Sequence, residues 1–298
     1  MHAAPTPMAL DNRAVTPPSP AQLAVFGSGL VGCYLGAAAG ATLAFPGPSR
    51  RLRAQRVRLP AGERTWSPVL GTTRAASRAQ GPVLVACRVH QTPWQQLPSN
   101  VLLAQNGLGQ RLPVLTCFFA LDEIEPGVIT AIGPVPRVVL EPGHRSWQPI
   151  LDAWQAAGIE VVVVANARPA QWEKAIFNAT VGPLCLATGL NMAGVWRDEA
   201  LRRLCLDATR EGGLIAAACG IIIPEGLEER AQRFFSLVGA HQPSVLRDHG
   251  ELPAVIGQLL SHAQAHGIAA TTLLKIHSQV EHALQERAAR TVLNGGKS

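Results

Sequence analysis

The chain has few lysines and no closely spaced cysteines. Its 26 basic residues include only three lysines, Lys174, Lys275 and Lys297, and its six cysteines are spread singly. Without a Cys-x-x-Cys pair the sequence predicts no zinc site and no bound metal. Most of the cysteines stand among Ala, Val and Leu, as small core residues do in a reducing compartment, so we expect a cytoplasmic protein.

Long apolar runs and dense basic runs are also absent. A membrane-spanning helix needs about 18 or more apolar residues in a row, and no such run occurs, so we expect no membrane partner. The Pro-rich residues 1–20 predict a disordered tail rather than a secretion signal. The net charge is +6, but the arginines are scattered and the chain has one tyrosine. These features argue against nucleic acid and favour an anionic small ligand.

What the sequence does contain first is a pattern of strand, glycine turn, helix and strand. Residues 23–26 are a short apolar run, an Ala-rich segment extends to about residue 40, and a second apolar run covers residues 42–45. The turn consists of Gly27, Ser28, Gly29, Leu30, Val31 and Gly32. In this motif the first glycine permits a tight turn, the second lets the backbone approach a pyrophosphate, and the third lets helix and strand pack closely. The pattern predicts an α/β, Rossmann-type domain that binds a dinucleotide at the helix N-terminus.

The end of the second predicted strand carries no carboxylate. NAD-binding proteins usually place Asp or Glu there to hold the ribose 2′-hydroxyl, whereas this chain reads FPGPSRR. Ser49, Arg50 and Arg51 suit a 2′-phosphate, because the planar fork of arginine bonds phosphate bidentately. The sequence favours NADP(H). Solvated loop arginines are the alternative, and either arginine could read the phosphate.

Two later apolar runs, residues 83–87 and 101–104, end in polar side chains. Arg88 follows the first and Asn106 the second. Because ligands bind beyond the carboxyl ends of open parallel sheets, we expect both residues to face the nicotinamide end of the cofactor. For Asn106 the alternative is an ordinary turn before glycine. Residues 128–140 predict antiparallel edge strands, and a further helix and strand complete a domain over residues 21–166.

The pattern changes to amphipathic helices over residues 167–298, which predicts an all-α second domain. Its first helix is expected to begin near residue 170 and to be interrupted at Gly182 and Pro183. Lys174 and Asn178 are spaced i and i+4, so they lie on one face of this helix. We expect the active site in the cleft between the two domains.

Four stretches, in order, resemble the ketopantoate reductases, also called 2-dehydropantoate 2-reductases. They are AVFGSGLVGCYLG, LVACRVHQT, LLAQNGLG and WEKAIFNATVGPL, and SVLRD with a later AHGI matches in part. The resemblance covers about residues 21–285. It implies a Rossmann domain joined to an all-α domain, as in 6-phosphogluconate dehydrogenase. It also implies NADPH-dependent reduction of 2-dehydropantoate to pantoate, in pantothenate biosynthesis.

The resemblance gives Lys174 the place of the family's conserved lysine. When hydride reaches a carbonyl carbon, an ammonium group can stabilise the charge on oxygen and then supply the proton. Arginine would stabilise the charge but does not give up a proton. By the same resemblance Asn178 orients Lys174 or the substrate, Asn106 lies by cofactor and substrate, Ser244 binds the substrate, and Asp248 completes the family's Ser-x-x-x-Asp.

Two departures from the family pattern leave the substrate open. Arg88 stands where the family usually has lysine. The family glutamate that contacts the substrate hydroxyl has no counterpart in register, since Val255 lies nearest its place and Glu251 cannot be aligned with it. The substrate is therefore 2-dehydropantoate or another 2-oxo acid, unless the protein binds NADP(H) without catalysis. The sequence also leaves the oligomeric state undecided between monomer and homodimer, because the apolar helices of the second domain could form either a dimer surface or a core.

Overall fold

The structure is a computed structural model that describes residues 23–45, 56–71, 81–110, 112–143 and 145–295. The predicted tail and the predicted phosphate-binding residues Ser49, Arg50 and Arg51 lie outside these residues. The strands are β1 (Ala24–Phe26), β2 (Leu43–Phe45), β3 (Arg56–Leu59), β4 (Gly62–Thr65), β5 (Val69–Leu70), β6 (Val83–Val85), β7 (Val101–Leu103), β8 (Thr116–Glu125), β9 (Val128–Leu140) and β10 (Glu160–Val163). The helices are α1 (Leu30–Ala39), α2 (Gln148–Ala156), α3 (Arg168–Thr188), α4 (Met192–Arg197), α5 (Glu199–Ala218), α6 (Leu227–Leu237), α7 (Gln258–Ala265) and α8 (Thr271–Gly295).

The first sheet is parallel and has the strand order β5-β2-β1-β6-β7. The three inner strands and the edge strand β7 are fully buried, as expected for short apolar strands covered on both faces. The glycine turn joins the central strand β1 to α1, and α1 ends at Gly40, whose positive φ of 66° closes the helix. The prediction of an α/β domain followed by helices is confirmed.

The second sheet corrects the expectation of antiparallel edge strands over residues 128–140. This segment is one long inner strand, β9, in a sheet of order β10-β9-β3-β4. It pairs in parallel with β3 and β10 and antiparallel with β8. Gly133, with φ of 94°, separates the half of β9 that pairs with β3 from the half that pairs with β10. The glycine and prolines that suggested separate strands therefore mark a change of partner within one strand.

The helical domain is built around α3, which corrects a second expectation. The helix runs without a break from Arg168 to Thr188 and contains Pro183. An internal proline costs about 3 kcal/mol in an exposed helix. Here the segment is deeply buried, with Leu184 and Cys185 at 0% exposure, so tertiary packing outweighs the local cost. Across the described ranges, no helix combines the length and the apolar character that a membrane crossing requires.

Candidate active site

The glycine turn forms one wall of a cleft between the two domains. A Cβ on Gly27 would lie 2.4 Å from the backbone nitrogen of Cys87, and one on Gly32 would lie 1.8 Å from the carbonyl oxygen of Gly27. Gly29, in contrast, faces open space. Helix α1 begins there with no side-chain cap and no acidic residue in its first turn. Its first N–H groups, which have no acceptor within the helix, are therefore available to an anion.

The cleft has a cavity volume of about 250 Å³ and collects most of the predicted site residues. Among the described residues, Gly27, Ser28 and Gly32 are the exceptions, because they are buried within the glycine turn. The predicted residues that line the cleft are Gly29, Leu30, Val31, Arg88, Asn106, Lys174, Asn178 and Ser244. Residues more than 200 positions apart in the sequence thus line one cavity.

Lys174 lies half-buried in this cleft. Burial lowers the pKa of its ammonium group to about 8, an effect opposed by the neighbouring Cys117. The Nζ atom lies 5.0 Å from the centre of the Phe234 ring, a cation–π contact. Among the described residues no carboxylate forms an ion pair with it. A poorly solvated cation that titrates near neutral pH is suited to stabilise a developing oxyanion and to donate a proton.

Asn178 and Asn106 contact each other across the cleft. The Nδ2 atom of Asn178, on α3, donates a hydrogen bond of 2.8 Å to Oδ1 of Asn106, in the turn after β7. That turn is fixed from the helical domain, because Gln258 of α7 exchanges hydrogen bonds of 2.6 and 2.9 Å with the backbone of Leu108. The bond orients the Asn178 side chain one helical turn from Lys174.

Glu251 is the residue that the sequence left unplaced. It is 8% exposed, lines the cleft, and accepts a hydrogen bond of 2.6 Å from Ser244 Oγ. Arg88 joins the group, with Nη1 2.9 Å from the same Glu251 oxygen and Nε 3.0 Å from Asp248. Asp248 caps the short 3₁₀ turn His249–Glu251 through the backbone of Gly250, and this turn directs Glu251 inward. The sequence signal for this turn was Asp248, a residue type that caps helices, three positions before the acidic Glu251.

The cleft also holds buried polar atoms that lack a hydrogen bond. Among the described residues there are four such side-chain atoms, and three of them, Arg88 Nη1, Gln105 Oε1 and Thr116 Oγ1, belong to residues that line the cleft. Arg88 Nη1 is near Glu251 but lacks hydrogen-bond geometry with it. An unsatisfied buried polar group costs about 1–3 kcal/mol, so water or a polar ligand in the cleft would satisfy Gln105 Oε1 and Thr116 Oγ1.

The helical domain matches a known family. Residues 166–284 match the family described as Ketopantoate reductase PanE/ApbA C terminal. The chain is 26% identical to the 2-dehydropantoate 2-reductase of Mesorhizobium japonicum, in an alignment that covers 83% of this chain and 91% of that protein. It is 23% identical to the 2-dehydropantoate 2-reductase of Halobacterium salinarum, over 57% of this chain and 62% of that protein. The second alignment thus spans less than two thirds of its relative.

Solved structures share the fold over nearly the whole chain. The ketopantoate reductase of Ralstonia eutropha JMP134 superposes with a TM-score of 0.73 at 21% identity, covering 90% of this chain and 99% of that one. D-mandelate dehydrogenase in complex with NADH and anilino(oxo)acetate gives 0.73 at 16% identity, covering 89% and 99%. At these identities the superpositions establish the fold. Residues 166–284 match the C-terminal domain of the ketopantoate reductases, and the chain as a whole is similar to 2-dehydropantoate 2-reductases at 23–26% identity.

Proposed function

We propose that the protein reduces the ketone of a 2-oxo acid to a hydroxyl group at the expense of NADPH. The observation that carries this proposal is the half-buried ammonium group of Lys174 in the cleft, which has no carboxylate partner among the described residues and has its pKa lowered to about 8. The cleft that contains it is bounded on the other side by the N-terminus of α1. A nucleotide site and a proton donor therefore share one cavity.

The residues present fit a dinucleotide. Gly29 leaves space where a side chain would stand, and the first N–H groups of α1 point to the same space. Bound NADPH would supply the hydride. Arg88 and Asn106, which line the cleft after β6 and β7, would bind near its nicotinamide end. For the 2′-phosphate we propose Ser49, Arg50 and Arg51, on the strength of the sequence alone.

Lys174 would act on the substrate oxygen. Its ammonium group binds the ketone oxygen and stabilises the negative charge that develops there as the carbonyl carbon receives the hydride. It then gives one proton to that oxygen and recovers it from solvent, so that a 2-oxo acid, NADPH and a proton give a 2-hydroxy acid and NADP⁺. Asn178, held by Asn106, would keep the reacting groups in place.

Two features of the cleft favour different substrates. The Ser244–Glu251 pair can bind a hydroxyl group, as 2-dehydropantoate would require, and Glu251 could take over the role of the missing family glutamate. The opposite lining is apolar and includes Phe177, Phe234 and Phe235, which would suit a 2-oxo acid with an apolar or aromatic side chain. The first is our leading candidate and the second our alternative.

The test is NADPH oxidation by the purified protein with 2-dehydropantoate and with a panel of aliphatic and aromatic 2-oxo acids. Lys174→Ala should lower kcat on the best substrate by about 10²–10⁴-fold, the usual loss of a general acid, while NADPH binding persists. Lys275→Ala is the matched control, because Lys275 lies exposed on α8. Unchanged turnover in Lys174→Ala would refute the role of that lysine, and NADPH binding without turnover on any acid would favour a non-catalytic protein.

The choice between NADPH and NADH has its own test. Replacing both Arg50 and Arg51 by Ala should raise the KM for NADPH by about 10–100-fold, the worth of a charge-assisted contact to phosphate. The KM for NADH should change little, because NADH lacks the 2′-phosphate. An equal effect on both cofactors would mean that these arginines do not read the phosphate.

A further inference from the structure

A cysteine and two histidines meet outside the cleft, on another side of the helical domain. Cys219 follows the last turn of α5, while His262 and His266 are spaced i and i+4 at the end of α7. One donor atom from each of the three lies within 4.8 Å of the others. The Sγ atom of Cys219 is 3.7 Å from Nδ1 of His262, although the two residues are 43 positions apart.

These separations match the edges of a tetrahedral metal site. With zinc–sulfur bonds of about 2.3 Å and zinc–nitrogen bonds of about 2.0–2.1 Å, tetrahedral geometry places sulfur and nitrogen about 3.6 Å apart. The observed 3.7 Å between Cys219 and His262 is close to that value. His266 is exposed, so its ring can rotate to reduce the remaining separation without disturbing a core.

Two of the three side chains are already held in place by packing. The His262 ring packs on the buried Trp172 of α3, with ring centres 5.1 Å apart, and Cys219 is half-buried against the helical core. Burial raises the pKa of the Cys219 thiol, and the positive charge of Arg168 opposes this rise only in part. Because that charge also repels a bound cation, the affinity should lie below that of a closed four-ligand site.

We propose that Cys219, His262 and His266 bind one Zn²⁺ ion, with the fourth position open to water. Thiolate and imidazole are ligands that Zn²⁺ accepts, whereas Mg²⁺ and Ca²⁺ prefer oxygen. On binding, the Cys219 thiol releases its proton to solvent and the thiolate coordinates the metal. The ion would connect the end of α5 to α7 and so stabilise the helical domain, because a ligand that binds only the folded state shifts the unfolding equilibrium.

The experiment titrates the full chain, free of any affinity tag, with Co²⁺ and then Zn²⁺. Co²⁺ should give one equivalent of a thiolate-to-metal charge-transfer band, and Zn²⁺ should displace it. Zn²⁺ at about 100 times its Kd should raise the Tm by about 5 °C. A chain that shows no thiolate band, or no zinc-dependent shift of the Tm, would overturn the proposal.

Two variants and one control assign the ligands. Cys219→Ser should abolish the band, and His266→Ala, at an exposed position that tolerates substitution, should weaken Co²⁺ binding by more than about 10-fold. His282→Ala is the control, because His282 is an exposed α8 histidine, 74% accessible beside Glu286. A thermal melt of each metal-free variant establishes that it is folded. An unchanged band in Cys219→Ser would place the metal elsewhere and refute the assignment.

Discussion

Two buried carboxylates of this protein each face an arginine, and the two pairs differ in how completely they are satisfied. Glu173, on α3, is 6% exposed and receives three hydrogen bonds of 2.7–3.1 Å from Arg230. Arg230 gives its other hydrogen bonds to the carbonyl groups of Pro224 and Glu225. In the cleft, Glu251 is 8% exposed, but Arg88 Nη1 makes no hydrogen bond with it.

The difference separates a fully hydrogen-bonded ion pair from an incompletely bonded one in the cleft. A buried pair adds to stability only where its hydrogen bonds are complete, because both charges have lost their hydration. The Arg230–Glu173 pair meets that condition inside one domain. The Arg88–Glu251 pair joins the end of β6 to the helical domain and leaves Arg88 Nη1 without a hydrogen bond, as the ligand-binding role that we propose for Arg88 requires. Arginine and glutamate therefore form a structural pair in the helical domain, next to Lys174. In the cleft the same two residue types form the pair to which we assign ligand binding.

The largest expected effect comes from breaking the satisfied pair. Arg230→Met leaves the Glu173 carboxylate buried without a partner, and we expect the free energy of unfolding to fall by about 3–5 kcal/mol. Turnover per folded molecule should stay within about twofold, since no atom of this pair has been assigned to the cleft. Urea unfolding and activity at matched folded concentration measure the two quantities. A loss below about 1 kcal/mol would contradict the structural role.

The same substitution in the cleft should give the opposite result. Arg88→Met leaves Glu251 bonded to Ser244 and Asp248 in contact with His90, so we expect at most about 1 kcal/mol of lost stability. The kcat/KM should fall by about 10–100-fold, which is the worth of one charge-assisted hydrogen bond to an anionic ligand. If Arg88→Met instead destabilised the fold as much as Arg230→Met, the comparison between the pairs would fail.

Much of the first domain could be predicted because its signals are local. The apolar runs and the glycine turn define β1, α1 and β2 within about two residues, and Gly40 marks the end of α1. Two expectations failed where distant packing decided the structure. Pro183 stays inside α3 because the surrounding domain buries it, and β9 stays one strand because each half finds a different partner.

The site residues also divide into those that the sequence indicated and those that only tertiary packing brings into place. Lys174, Asn178, Asn106 and Ser244 were recognisable from the resemblance to the ketopantoate reductases, and the structure brings them into one cleft. Glu251 could not be recognised in the sequence, because its position depends on the capped 3₁₀ turn that follows Asp248 and not on a fixed distance from a motif. The Cys219–His262–His266 cluster escaped for the same reason, since only the packing of α5 against α7 brings those ligands together.

The last comparison is between Lys174 and Glu173, the adjacent residue on α3. Glu173 is hydrogen-bonded to Arg230, whereas Lys174 forms no ion pair with a carboxylate among the residues described. The pKa of Lys174 falls from 10.5 to about 8, mainly through burial. Between these two pH values the unfolded chain binds more protons than the folded one, so the stability of the native protein rises with pH over that range. Below about pH 8 the full cost of the buried charge is present.

Lys174→Met removes that charge and keeps an unbranched side chain of similar length. We expect it to lower kcat by about 10²–10⁴-fold, as for Lys174→Ala, and to raise the free energy of unfolding by about 1–3 kcal/mol at pH 7. The gain should shrink as the pH rises from about 8 to 10.5, because folding of the native protein then requires Lys174 to lose its proton and the cost of that loss falls to zero as the pH approaches 10.5. Urea unfolding of both proteins at pH 7 and pH 10 measures the difference. An equal gain at both pH values would attribute it to packing instead of charge, and would remove the evidence that Lys174 is held ready to give up its proton.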